Sequence, residues 1–433
     1  MLKRTIIGLA GVIAMGIVGI AVLAWHASIA PISPPAAGSF SAADVAQGET
    51  LAAVGNCGTC HTTRNGAPLA GGVGLPTGFG VIYSTNITPD MATGIGSWSE
   101  AAFRRAMHEG VARDGSQLFP AFPYDHFTKL SDADVHALYA YLMTRPPVDA
   151  PPKADGLPFP LDIRALQVVW KLLFFHPGRF RPSAAHDAQW NRGAYLVEAL
   201  GHCGACHTPR NMFGAEKRGR AFAGAPIDHW IAPPLTAANP SPAPWTTSEL
   251  TAFLGSGISP LHGDTAGPMA AVVHQGLAKL SDADLRAVVA YVESLGDGDA
   301  RAAATAPAVA RALAADRLGV GATYDADARL YTEACAACHY NAGAAPNPAR
   351  PDLALDTAVN MSDPANLIRV ILFGVDADEG ATGIVMPGFA AGLSDRDVAR
   401  IAAYLRRTRT TLGPWPDLQR KVSESRALGP GER

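Results

Sequence analysis

The 433-residue chain has little charge. Asp, Glu, Lys and Arg make up 17% of it, and 35 basic against 38 acidic residues leave a net charge of −3. No basic stretch has the footprint a nucleic acid requires, so nucleic acid is excluded as a partner. Only one long uncharged run is present, which excludes a polytopic membrane protein. No nucleophile–base pair, carboxylate pair or nucleotide loop stands out. The glycine-rich stretch from Ala70 to Gly80 lacks the strand–helix context that phosphate binding needs. Cysteine is scarce, with six residues. In an exported chain six cysteines would ordinarily read as disulfides, but their positions overrule that reading.

Other features are abundant. Hydrophobic residues reach 48%, enough for sizeable cores, and 44 Gly and 34 Pro predict long loops and little β-structure. At roughly 100–200 residues per domain, the length predicts two to four domains. Near the N-terminus Lys3 and Arg4 precede an uncharged run from Thr5 to Trp25, long enough as a helix to reach across a bilayer core. The basic pair keeps to the cytoplasm, so the bulk of the chain lies outside. Residues 1–30 are thus a transmembrane anchor or a signal peptide cut after Ser28-Ile29-Ala30.

Three segments then repeat. The first runs Gly55-Asn56-Cys57-Gly58-Thr59-Cys60-His61-Thr62, the second Gly201-His202-Cys203-Gly204-Ala205-Cys206-His207-Thr208, the third Cys335-Ala336-Ala337-Cys338-His339. A short helical stretch leads into each. Downstream of each stands another repeated element: KLSDADVHALYAYL from Lys129, KLSDADLRAVVAYV from Lys279, GLSDRDVARIAAYL from Gly392. In every copy a Ser is placed to cap a helix, with Asp three residues on favoured by the helix dipole. Apolar residues recur at helical spacing, as at Val135, Leu138, Tyr139 and Leu142. The plan is helix, CxxCH, long loop, terminal helix. It predicts an all-α architecture of three tandem cytochrome c-like domains over 40–148, 186–297 and 322–410, with a tail over 411–433. The linker 149–185 carries an apolar patch at Val168–Phe175, either an inter-domain packing helix or a docking surface for a partner or the membrane. The linker 298–321 is Ala-rich and reads as a solvated helix or loose connection.

All six cysteines fall in C-x-x-C-H, the pattern of c-type haem attachment. Two thiols, Cys57 and Cys60, Cys203 and Cys206, or Cys335 and Cys338, form thioethers with one porphyrin. The adjacent histidine, His61, His207 or His339, then meets the iron as proximal ligand. A thioredoxin-like βαβ pattern and a matching zinc ligand pair are both missing. The expectation is three covalently bound haem c groups. The distal ligand should lie in the long loop before the terminal helix. Met386 and Met269 occupy that place in the third and second copies. In the first copy Phe122 stands 61 residues past His61, where Met269 stands 62 past His207. Phe cannot ligate iron, which leaves His126, an open sixth position, or Met107, which reads as core. His108 and His136 read as solvated, and His202 as a surface group or a support to the haem site.

With these residues in place, the chain resembles the three-haem cytochrome c subunits of membrane-bound periplasmic dehydrogenases. The resemblance lies outside the haem motifs, in Phe79–Asp90, Thr93–Ser99, Leu157–Pro160, Trp190–Val197 and Gly267–Ala270. It implies an electron-transfer subunit that performs no substrate chemistry itself, on the periplasmic side of the inner membrane. Its partner would be a quinoprotein, flavoprotein or molybdenum-containing large subunit, and its acceptor ubiquinone or a terminal oxidase. The family often has Met where Phe122 stands. The rival expectations are a free-standing carrier or oxidase subunit, and a haem enzyme using an open first haem.

Overall fold

A computed structural model describes residues 2–36, 38–320, 325–340, 346, 350–375 and 385–431. The chain divides into two compact units: Met1–Pro182 with Glu198–His202 and Asn211–Ala215, and Ser183–Val197 with Cys203–Arg210 and Glu216–Arg433. The first contains α1 (Leu2–Ala24), α2 (Ala42–Val54), α3 (Cys57–His61), the hairpin β1 (Gly74–Thr77)–β2 (Gly80–Tyr83), α4 (Glu100–Glu109), α5 (Tyr124–Phe127), α6 (Asp132–Met143) and α7 (Gln167–Phe174). The second contains α8 (Ala188–Tyr195), α9 (Gly204–His207), α10 (Thr247–Ser256), α11 (Pro268–Ala271), α12 (Asp282–Leu295), α13 (Thr305–Val320), α14 (Ala326–Ala334), α15 (Ala336–His339), α16 (Thr357–Asn360), α17 (Ala365–Phe373), α18 (Asp395–Arg409) and α19 (Leu418–Leu428). Its strands form two short antiparallel hairpins, β3 (Ala225–Ile227)–β4 (Trp230–Ala232) and β5 (Ile258–Ser259)–β6 (Gly263–Asp264). Helix dominates, as the repeat predicts.

The terminal helices start where the serines are. Ser131, Ser281 and Ser394 accept hydrogen bonds from the amides of Asp134, Asp284 and Asp397 at 3.1, 3.2 and 3.2 Å, opening α6, α12 and α18. Each cap satisfies an amide that the helix cannot, contributing about 1 kcal/mol. The predicted apolar face is the buried one: Val135, Leu138, Tyr139 and Leu142 are all interior. Against it crosses the helix that leads into the motif, α2 on α6, α8 on α12 and α14 on α18. The first two crossings are close because Gly48 faces the carbonyl of Ala137 and Gly193 that of Ala287, with no room for a methyl at either glycine. At the third, Ala328 is fully interior. A polar clasp accompanies each crossing: Gln47 to Asp134 (2.8 Å), Arg192 to Asp284 (2.8 Å) and Arg400 to Asp327 (2.7 Å).

Two further segments are helical. The Ala-rich 298–321 linker is neither loose nor fully solvated: it forms α13, whose Ala308 and Ala312 pack with Ala243 and Leu355. Small side chains let the helix approach closely, and Asp316 pairs with Arg409 of α18 at 3.1 Å, both fully buried. In the tail, α19 packs on α17 and α18 through Val422, and Trp415 just before the helix joins the same core.

The N-terminal run is helical, as predicted. Among the described residues, however, no helix is long and apolar enough to cross a membrane, so the transmembrane anchor is not borne out there. Part of α1 is instead engaged by the linker, packing on α7 and the turn Arg164–Leu166. Beyond α1 the chain is fastened to the first unit. Ile29 and Ile32 donate to the carbonyls of Arg113 and Ser97 at 2.8 and 3.0 Å, and Gln117 donates to that of Ala24 at 3.0 Å.

Candidate functional site

Each CxxCH forms one helical turn (α3, α9, or Cys335 with α15), which brings residues i, i+3 and i+4 to one side. Two thiols and an imidazole therefore converge. None of the six cysteines is in a disulfide. Burial, reinforced by the second cysteine, pushes the Cys57 and Cys203 thiols up to about 12 and Cys335 to about 11. A redox CxxC needs the opposite shift, a thiol lowered toward its thiolate. Among the described residues, no cluster of three or more Cys, His, Asp or Glu ligand atoms includes a motif residue, so a zinc-type site is not assembled either.

The histidines are prepared for ligation. The Nδ1 of His61 lies 2.6 Å from the Thr85 carbonyl, that of His207 2.7 Å from Pro233, and that of His339 3.2 Å from Pro351. A carbonyl only accepts, so each Nδ1 carries the proton and each Nε2 presents its lone pair. Burial lowers the pKa of all three rings, partly opposed by the carbonyl bond, which keeps the imidazoles neutral. Neutral Nε2 is the form that binds a metal. This donor set fits a c-type haem at each motif: paired thiols for the thioether links and a fixed proximal nitrogen beside them.

The loops that supply the acceptors repeat as well. In the first copy Gly71 donates to the His61 carbonyl at 2.7 Å and Leu69 to the Thr62 hydroxyl at 3.0 Å. In the second, Gly224 donates to the His207 carbonyl at 2.7 Å and Phe222 to the Thr208 hydroxyl at 3.1 Å. The hairpins β1–β2 and β3–β4 then return the chain to Thr85 and Pro233. Sequence reading missed these acceptors because they are backbone groups. The repeated Thr62 and Thr208 were the available signal.

The remaining predicted residues are placed as follows. Met269 is half-buried in α11, where Gly267, at φ 58°, passes so close to the Trp230 indole that a side chain would clash. Met386 is half-buried and pairs by backbone with Val375, at 3.0 Å in both directions. Met107 is core on α4, as expected. Phe122 packs its ring on Phe127 at 5.4 Å. His126 is buried, with Nδ1 2.8 Å from the Glu198 carbonyl, the same tautomer as the proximal histidines. His202 is half-buried, 3.3 Å from the Gly55 carbonyl. His136 pairs with Glu100 at 3.0 Å and remains partly exposed. His108 corrects its reading as solvated: it is 3% exposed, and burial lowers its pKa to about 4.

Residues 45–146 and 191–296 match the cytochrome c family, and 322–405 match the cbb3-type cytochrome c oxidase subunit III family. The chain is 45% identical to a nicotinate dehydrogenase subunit of Pseudomonas putida over 97% of its own length, and spans about a third (35%) of that protein. It is 37% identical to the fructose dehydrogenase cytochrome subunit of Gluconobacter japonicus, over 86% of this chain and 80% of that one. It is 38% identical to the gluconate 2-dehydrogenase cytochrome c subunit of Pantoea cypripedii, over 84% and 85% of the two chains. With the same paired thiols and oriented histidines now located in its fold, the chain belongs to the family of cytochrome c subunits of dehydrogenases.

Proposed function

We propose that this chain is the electron-transfer subunit of a dehydrogenase complex. In this reading it holds three haem c groups in three tandem domains and works on the periplasmic side of the inner membrane. A catalytic large subunit (quinoprotein, flavoprotein or molybdenum enzyme) supplies electrons, and ubiquinone or a terminal oxidase takes them. The observation that carries the reading is the threefold recurrence of one arrangement: two thiols and a neutral imidazole whose Nδ1 is tied to a carbonyl. Family membership supports it, as does the basic pair Lys3 and Arg4 ahead of an uncharged run.

Haem supplies reversible one-electron chemistry when bound. The chain's own residues do the rest. Cys57, Cys60, Cys203, Cys206, Cys335 and Cys338 fasten the groups, so that none is lost during turnover. His61, His207 and His339 donate from Nε2, while the carbonyls of Thr85, Pro233 and Pro351 hold the rings in orientation. Met269 and Met386 would serve as further iron ligands of the second and third groups, and His126 of the first.

Gentle detergent purification of the chain from its own host tests the proposal. The expected result is a red complex with three haems per chain by pyridine haemochrome assay and a co-purifying dehydrogenase large subunit, reducing a quinone analogue when its substrate is added. A colourless chain, or a coloured one that a dehydrogenase subunit cannot reduce, overturns it.

A further inference from the structure

We propose that α7, together with the Met212–Phe213 loop that packs on it, seats the first compact unit in the lipid headgroup–acyl boundary. The inference rests on the membrane-face location proposed above and adds a contact surface that needs no crossing of the bilayer.

The two sides of α7 do different work. On one side Val168 is buried, and Lys171 donates from Nζ to the carbonyls of Glu109 and Gly110 and to the Gln117 Oε1, at 2.6, 2.8 and 2.6 Å. Phe175, just past the helix, packs edge-on to Tyr124 at 5.1 Å. Positions 168, 171 and 175 follow helical spacing, so this face fastens α7 to the unit. Leu173, on the opposite side, and Leu172, at the edge of the fastened face, are 59% and 66% exposed. Beside it, Trp170 donates to the Phe213 carbonyl at 3.0 Å and Phe174 meets the Phe213 ring at 5.8 Å. These contacts present Met212, 82% exposed, and Phe213 next to the bare face. Large apolar side chains gathered from separate segments and left in the open mark an interaction surface.

Two observations select lipid as the occupant. First, α1 packs on α7, and Thr5–Trp25 contains no charged residue. The most apolar segment of the chain therefore lies against α7, and its own Val22 is exposed. Second, the linker 149–185 is basic, with five Lys and Arg against three Asp in a chain whose net charge is −3. A protruding apolar face followed in the chain by the exposed cations Arg179 and Arg181 is the composition of an interfacial element on an anionic leaflet.

Nitroxide labels on the full-length haem-loaded protein in phosphatidylethanolamine–phosphatidylglycerol vesicles test this. Single variants Leu172→Cys, Leu173→Cys, Val22→Cys and, as an aqueous control, Arg286→Cys would each carry one label. The expected result is several-fold more frequent collision with oxygen than with a water-soluble nickel chelate at Leu172 and Leu173, and the reverse at Arg286. Aqueous behaviour at Leu172 and Leu173 with lipid behaviour at Val22 overturns the seat and spares the location. Aqueous behaviour at all of them overturns both. Shielding from both reagents only when a dehydrogenase subunit is present overturns lipid in favour of protein. The double variant Leu172→Glu with Leu173→Glu should retain its haem spectrum while releasing from vesicles at several-fold lower salt; unchanged release also overturns the proposal.

Discussion

His61 and His207 are held alike, each by a main-chain carbonyl reached through a glycine turn, a threonine hydroxyl and a short hairpin. In the loop before the terminal helix the two copies part. The second has Met269 on a short helix behind a glycine with positive φ, and the first has Phe122 packed on Phe127. The histidine side is therefore the common frame, and the loop before the terminal helix is where the copies differ. Axial ligands command a range of about 0.8 V in haem proteins, so one loop residue can separate two otherwise similar centres.

The comparison breaks most severely if a copy loses its attachment. The double variant Cys203→Ser with Cys206→Ser should lose one haem per chain, read by pyridine haemochrome and intact mass, while the other copies stay loaded. An unchanged haem count would mean that those thiols hold nothing. The next largest effect comes from exchanging the distal residues. Met269→Phe should remove a Met-to-ferric-iron charge-transfer band and lower one midpoint potential on the order of 100 mV, within the range that axial ligands command. Phe122→Met combined with His126→Ala should add such a band. A titration in which neither variant moves a potential would sink the assignment of this loop as distal.

The frame itself is testable. Gly48→Val and Gly193→Val each place methyls against a carbonyl of the crossing helix and should destabilise by at least ~1–3 kcal/mol in denaturant unfolding. An unchanged midpoint would show that the crossings have slack.

The smallest effect is expected from His108, buried in the first unit. Its folded pKa of about 4 lies below the ordinary 6.5, so the unfolded chain binds more protons between those values. Stability of the first unit should fall as pH drops from about 6.5 to about 4, and His108→Gln should flatten that slope. An unflattened slope would assign the acid sensitivity of the first unit to groups other than His108.

Much of this was readable in the chain because local chemistry wrote it. Ser131, Ser281 and Ser394 cap the helices they were expected to cap, and the CxxCH turns follow from spacing alone. What escaped depends on partners distant in sequence. The burial of His108 is decided by what packs over α4, and no pattern within Glu100–Glu109 announces it. The Ala-rich segment read as a solvated helix or a loose connection because alanine is weakly hydrophobic, yet its small size is what lets α13 dock and bury Asp316 beside Arg409. Likewise α19 has a mostly polar sequence and owes its place to Trp415 and Val422.

The choice of main-chain oxygen to hold each ligating ring has an evolutionary corollary. Every residue type carries that oxygen, so no point mutation at Thr85, Pro233 or Pro351 deletes it. An alanine scan would pass over these positions in silence, although they govern ring orientation. Heritable adjustment of the electron ladder is thereby steered away from the half of each centre that must not drift.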